Sequence, residues 1–513
     1  MRTVSIGLEP ISIEDVVDLA QRRAVLKLAD TTAFRERITR GAELLDRILK
    51  EDGIIYGVTT GYGDSCTVDV PADLAWELPI HLTRFHGCGL GRHLSEASAR
   101  SVLIARLTSL CRGYSGVSLE LLELLATLIE KNIVPLIPEE GSVGASGDLT
   151  PLSYVAAVLI GERQVMVDGV TKDTADAFSE SGLVAHKLRP KEALALMNGT
   201  AVMTGLACIA FSRAEYLARL ASRITSLAAL ALKSNAFHFS KELFDVKPHP
   251  GQAEVAYWIR SDLEHEEMPR NPLRLQDRYS IRCAPHVIGV LVDALPFFRS
   301  QIETELNSSN DNPIIDPDRE LVLHGGHFYG GHIAFAMDSM KIAIANIADL
   351  LDRQLALLVD TKFNNGLPSN LSGSEPARAM INHGFKAVQI GTSAWTAEAL
   401  KLTMPASVFS RSTECHNQDK VSMGTIAARD CLRILELSEQ VAAAVLLATV
   451  QALELRLRSG DLAQEHLVPA VLDMKESVFS EFEFLTEDRP LEGDLRLFVA
   501  KIQDQAWALY DEV

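Results

Sequence analysis

The 513-residue sequence predicts a mainly α-helical protein, a long-helix bundle core preceded by a mixed N-terminal region. Two segments, TGLACIAFSRAEYLARLASRITSLAALALK from Thr204 and IAFAMDSMKIAIANIADLLDRQLALLVD from Ile333, hold apolar residues at helical spacing for many turns. A third, ARDCLRILELSEQVAAAVLLATVQALEL from Ala428, is apolar on more than one face, which points to burial against other subunits as well as within the chain. Residues 1–200 read differently. Ser12 with Glu14, Asp15, Val16, Val17 and Leu19 announces a capped helix from Ile13. The stretch GIIYGVTTGYGD then clusters Gly and Thr where a stable helix cannot continue. The chain therefore divides into a mixed region 1–200 and a helical region 201–513, with the character changing after Asn198-Gly199. No repeat or low-complexity tract interrupts it, and the stretch nearest to a linker is HEEMPRNPLRLQDRYS from His265.

Composition excludes several function classes. With 47% hydrophobic, 23% charged and 6% aromatic residues, the chain is an ordinary globular one able to bury a large core. A formal charge of −19 repels a phosphate backbone, and no Lys/Arg stripe reverses it locally, so nucleic acid is not an expected partner. The seven cysteines are odd in number, scattered and never in a Cys-x-x-Cys pair, which argues against a disulfide framework or zinc ribbon and for a reducing cytoplasm. The N-terminus carries Glu9, Glu14 and Asp15 and lacks a signal-peptide core. No stretch is expected to span a bilayer, the most apolar, VAAAVLLATV from Val441, being stopped at Gln451.

One loop asks for a chemical explanation: GSVGASGDLTP, from Gly141 to Pro151. It is not a nucleophile elbow, because Asp148 stands where G-x-S-x-G needs its second glycine. Its G-x-x-G-x-x-G spacing matches neither the dinucleotide fingerprint nor the P-loop. A plain flexible turn is one reading. The other is chemical: Ala145 and Gly147 leave the backbone unshielded, so the Gly147 nitrogen can be pressed against the Ala145 carbonyl carbon, and Ser146 has a hydroxyl to lose as water. Thr150 as N-cap, with Pro151 first in the helix, would aim a positive helix end back at this loop.

Ala145-Ser146-Gly147 within GSVGASGDLTPLS resembles the self-cyclising triplet of the aromatic amino acid ammonia-lyases, where it becomes the methylidene-imidazolone electrophile (MIO). IYGVTTGYG, ALMNGTAVMTG, QDRYSIRCAP, ELNSSNDNPIID, HGGHFYGG and HNQDKVSMG appear in that family's order, and the resemblance covers nearly the whole chain. It implies the family's helical fold, shared with the fumarase-like enzymes, and a homotetramer with sites shared between subunits. It also implies a small amino acid substrate and no catalytic metal.

The resemblance carries roles residue by residue. Tyr56 matches the base that takes the β-proton, a task that asks for a phenol with its pKa lowered toward the working pH. Arg282 matches the fork that holds the substrate carboxylate. Asn198, Tyr279 and Gln276 match the polar set around the electrophile and the substrate amine and carboxylate, and Phe328 an aromatic wall. Asn310, Asp311 and Asn312 read as scaffold. His324, His327 and His332 suggest a metal by type, but their flanking glycines point to backbone packing, and no carboxylate or cysteine completes a set. His327, Tyr329, Gly331 and His286 depart from the family's more usual residues, which bears on local geometry rather than on the reaction.

Two places speak to the substrate. Phe85-His86 matches the family's selectivity pair, where phenylalanine enzymes show Phe-Leu, some tyrosine enzymes His-Leu, and histidine enzymes with other tyrosine enzymes Ser-His; this chain is a hybrid. Gln418 falls where histidine-specific members carry a glutamate. These residues place L-tyrosine ahead of L-phenylalanine and L-histidine third. An aminomutase using the same electrophile, and a non-catalytic helical scaffold, are the rival readings.

Overall fold

A computed structural model describes residues 1–51, 53–71, 73–263 and 274–510. The chain falls into two units: Met1–Ser212 with Phe298–Asp338 and Pro405–Arg429, and Arg213–Phe297 with Ser339–Met404 and Asp430–Val513. The linker-like stretch from His265 lies, as far as Leu273, outside the described residues.

The first unit is the mixed one. Its first helix, Ile13–Ala20, starts on the expected cap: Ser12 Oγ accepts from the Asp15 amide at 3.2 Å while Asp15 Oδ2 accepts from the Ser12 amide at 2.9 Å. Short strands surround the helices. Arg2–Ile6 pairs in parallel with Ala24–Leu28, and Leu90–His93 antiparallel with Pro138–Glu140. Ile133–Pro135, Gln164–Val167 and Val170–Asp173 form a three-stranded sheet in that order. Its last hairpin turns on Asp168-Gly169, both at positive φ (48° and 80°), the backbone that a tight two-residue turn demands. The helix Glu96–Leu110 is buried almost throughout, and its Arg106 gives N–H bonds to the carbonyls of Asn310, at 2.9 Å, and Ala195. Burial pulls that guanidinium down to about 10. Lys191 and Asp311, both fully buried, pair beside it, so the Asn310–Asn312 segment is fixed by cations it could not find locally.

The second unit is helical. The long helices Ala201–Ala231, Ala284–Leu306, Gly331–Val359 and Gly424–Ser459 each run in part through it. Within it Gln354 donates to Thr225 Oγ1 at 2.9 Å, and Arg213 forks onto Glu439 at 2.8 and 2.6 Å. Two expectations need correction. The stretch Val441–Val450 is buried on every side within the chain, so its all-round apolarity does not call for a second subunit. The run Tyr279–Leu306 contains a stretch that is, by length and composition alone, long and apolar enough to cross a membrane, against the expectation that none is. Its Ile288, Leu291, Ile302 and Leu306 are buried, as in the core helix of a bundle.

Candidate active site

The glycine-rich loop owes its course to contacts that side chains would forbid. Gly147 sits at φ +76°, and a Cβ there would lie 2.1 Å from the Gly199 carbonyl oxygen; one on Gly144 would lie 2.2 Å from Ser422 Oγ. Gly147 and Gly199 form a parallel bridge, and the Asp148 amide donates to the Gly199 carbonyl at 2.8 Å. Ser146 itself is held in the left-handed region at φ +51°. The loop thus supplies what the cyclisation asks for, small residues in a sharply bent turn, and in this respect the triplet fits the group that the resemblance implies.

The helix beyond begins earlier than its Thr-Pro suggests. It spans Leu149–Leu159 with Asp148 at the N-cap position, so Thr150 is not the cap and Pro151 is not the first helical residue. The reason is Asp148, which is fully buried and engaged elsewhere: it accepts from Ser142 Oγ at 3.1 Å, from the Met203 amide at 3.0 Å and from Thr425 Oγ1. Burial pushes its carboxyl up to about 6 although these donors oppose the shift. The signal for Asp148 in the sequence is an acid set between a glycine loop and a mostly apolar helix.

A cavity of about 650 Å³ in the first unit brings together Tyr56, Phe85, His86, Ala145, Ser146, Asn198, Phe328 and Gln418. Gly147 is buried behind its neighbours. Gln276, Tyr279 and Arg282 belong to the second unit and do not line this cavity. There Tyr279 is 72% exposed, Arg282 packs its guanidinium over that ring at 4.7 Å, and Arg282 Nε is buried with no hydrogen-bond partner among the described residues.

Tyr56 Oη accepts from the Gly63 amide at 2.7 Å. The phenol is not lowered as expected: burial raises its pKa, Glu414 and Cys66 add to the rise, and only the Gly63 amide opposes it. Glu414, unremarkable in the sequence, holds the next amide of the same turn, that of Asp64, with both oxygens at 3.0 and 2.9 Å.

The helix Leu78–Phe85 ends at the cavity in Phe85 and His86, with rings 4.3 Å apart. His86 Nδ1 lies 3.0 Å from the Leu82 carbonyl, which can only accept, so the proton is on Nδ1 and Nε2 carries the lone pair. Burial lowers the His86 pKa and keeps the ring neutral. Asn198 donates its Nδ2 to the Asn312 carbonyl at 2.8 Å, which fixes the amide and leaves Oδ1 buried without a donor among the described residues. Gln418 is a bridge, donating to Ser146 Oγ at 3.3 Å and accepting from Thr413 Oγ1 at 2.9 Å. Asn312, read as scaffold, also lines the cavity.

His324 and His327 instead line a second cavity of about 430 Å³ with Arg112 and Tyr114. Among the described residues no group of three or more His, Cys, Asp or Glu side chains stands ready for a metal.

A family model described as aromatic amino acid lyase matches residues 11–473. Histidine ammonia-lyase of Caldanaerobacter subterraneus subsp. tengcongensis is 36% identical over 458 residues, 89% of each chain. Tyrosine aminomutase from Streptomyces globisporus superposes with a TM-score of 0.91 at 33% identity, covering 98% of this chain and 97% of that one. Phenylalanine aminomutase of Pantoea agglomerans superposes at 0.90 with 30% identity, covering 98% and 99%.

Proposed function

Because the chain belongs to the aromatic amino acid lyase family, a family of carbon–nitrogen lyases, we propose that it deaminates an L-aromatic amino acid, tyrosine ahead of phenylalanine, at an MIO formed from Ala145-Ser146-Gly147. The observation that carries the ranking is His86. Its protonated Nδ1 is tied to Leu82, so Nε2 accepts, and a phenol offers the O–H that a phenyl ring lacks. Gln418 supports the same order, since its carboxamide bridges Ser146 and Thr413 where a carboxylate would pair with an imidazolium.

The formed triplet supplies an electrophile for the substrate amine. Tyr56 acts as the phenolate, which the Gly63 amide stabilises, and its Oη takes the β-proton to become the neutral phenol. Asn198 Oδ1 accepts from the amine, satisfying an atom left without a donor among the described residues. Arg282, whose Nε has no partner among the described residues, receives the carboxylate with Tyr279 and Gln276 alongside. In this reading those three come from neighbouring copies of a homotetramer, which is supported by exposed apolar residues Val290, Ile342, Ile390, Met404 and Val408. The enzyme works in the cytoplasm, without a metal.

Incubation with L-tyrosine, L-phenylalanine and L-histidine, with products identified by mass, is the test. The aryl-acrylate of tyrosine with ammonia is expected. Dominant urocanate would replace this reading by the histidine one that the relatives' names favour, and a dominant β-amino acid by the aminomutase one. Sedimentation at four chain masses is expected, and a monomer would sink the shared site.

A further inference from the structure

We propose that Arg163, which does not line the cavity, is a positioning residue for substrate choice: it fixes the helix end that carries Phe85 and His86 against the helix that leads away from the triplet. The inference rests on the reading of His86 as the partner of the substrate ring. The last carbonyls of a helix need outside donors, and in an eight-residue helix they are a large share of its bonds. Leu82 is answered by His86 itself, Arg84 by the Gly87 amide at 3.0 Å, and Thr83 by Arg163 Nη2 at 2.7 Å. Arg163 is anchored from the other side. Its Nη1 donates to Ser153 Oγ at 3.0 Å and its guanidinium lies 4.2 Å over the Tyr154 ring, both on the helix Leu149–Leu159. Its backbone is pinned too, the carbonyl accepting from the Thr174 amide at 2.9 Å and hydroxyl at 2.8 Å.

One planar group therefore spans the two elements whose separation sets where a substrate ring meets Nε2. Gly87 makes room for it, since a Cβ there would lie 2.2 Å from Arg163 Nη2. The charge acts as well: after burial, the positive field of Arg163 is what lowers the His86 pKa, against the Leu82 carbonyl, which raises it. Other charges near the ring are already matched or face the cavity. Arg84 pairs with Glu162 at 2.6 Å; Glu414, Asp419 and Lys420 line the cavity, with Tyr56, Tyr62 and Cys66, and Cys88 follows in the chain.

The experiment is the ratio of kcat/KM for L-tyrosine over L-phenylalanine, counting all products, from about pH 6 to 9, the range in which a histidine titrates. Arg163→Met should lower the ratio roughly three- to tenfold, as loss of one hydrogen bond does. It should also make the ratio fall further toward the acid end, because one of the two causes that hold His86 neutral is gone while burial remains. Gly87→Ala pushes the guanidinium off Thr83 but keeps its charge, so the ratio drops and stays level with pH; Arg163→Lys likewise keeps it level. A merely structural arginine would depress both substrates alike and leave ratio and pH profile unmoved in every variant, which overturns the inference. Should Arg163→Met not fold by circular dichroism, Gly87→Ala and Arg163→Lys decide. His86→Leu is the control: an unchanged ratio there overturns the underlying reading, whereas a shift there with none in the Arg163 and Gly87 variants overturns this inference alone.

Discussion

The turn at Ala145-Ser146-Gly147 and the helix end at Phe85-His86 open on the same cavity but are held by opposite means. The turn is locked from behind: Gly144 and Gly147 have no room for a Cβ, and the fully buried Asp148 ties it to Ser142, Met203 and Thr425. The helix end is lightly held, with Phe85 60% exposed and its carbonyls answered by one histidine, one glycine amide and one arginine. Under the proposed function, the reaction rests on a turn that its surroundings lock in place, and the substrate preference on an element that few contacts restrain.

Substitutions on the two sides should differ accordingly. Ser146→Ala has the largest expected effect: deamination falls by more than about 10⁴-fold, and the intact mass no longer lies two waters below that of the encoded chain. Full activity there would end the triplet's role. Tyr56→Phe should cost roughly 10³-fold in kcat with the two waters still lost, separating proton transfer from formation of the electrophile. Third is Asp148→Asn. The folded carboxyl keeps its proton to about pH 6 against an ordinary value of 3.8, so wild-type stability falls as pH rises between those values. The variant should lack up to about 3 kcal/mol of that slope, read from denaturant midpoints across pH; an identical slope would mean the buried charge is not the cause. Smallest is His86→Leu, which should move the tyrosine-to-phenylalanine ratio about tenfold toward phenylalanine; a static ratio would leave the helix end without its chemistry.

Local chemistry made the centre of the cavity legible. The triplet, Tyr56, the Phe85-His86 pair, Asn198, Phe328 and Gln418 each sit in a short motif, and all but Gly147 reach the cavity surface. The long helices were equally plain, because a period of 3.6 residues sustained over 29 to 36 residues has no other reading. What stayed hidden depends on contacts far apart in the chain. Asp148 meets Thr425 across 277 residues, Glu414 reaches Asp64 across 350, and Arg163 caps Thr83 across 80. Tertiary demand also misplaced the helix start, since the carboxylate drawn inward from Asp148 outweighs the capping preference of Thr150. The phenol of Tyr56 was misjudged for the same reason: type and motif suggest a base, while its burial, which sets the pKa, is a property of the fold.

Asn198 carries one more consequence. Its Nδ2 is committed to Asn312 and its Oδ1 is buried without a donor among the described residues, a defect that costs on the order of 1–3 kcal/mol. An amine that fills the gap repairs the fold as it binds, so occupancy becomes visible as heat resistance. A melting curve can then rank amines against carboxylates of the same ring without any turnover, even in a chain whose Ser146 has been replaced.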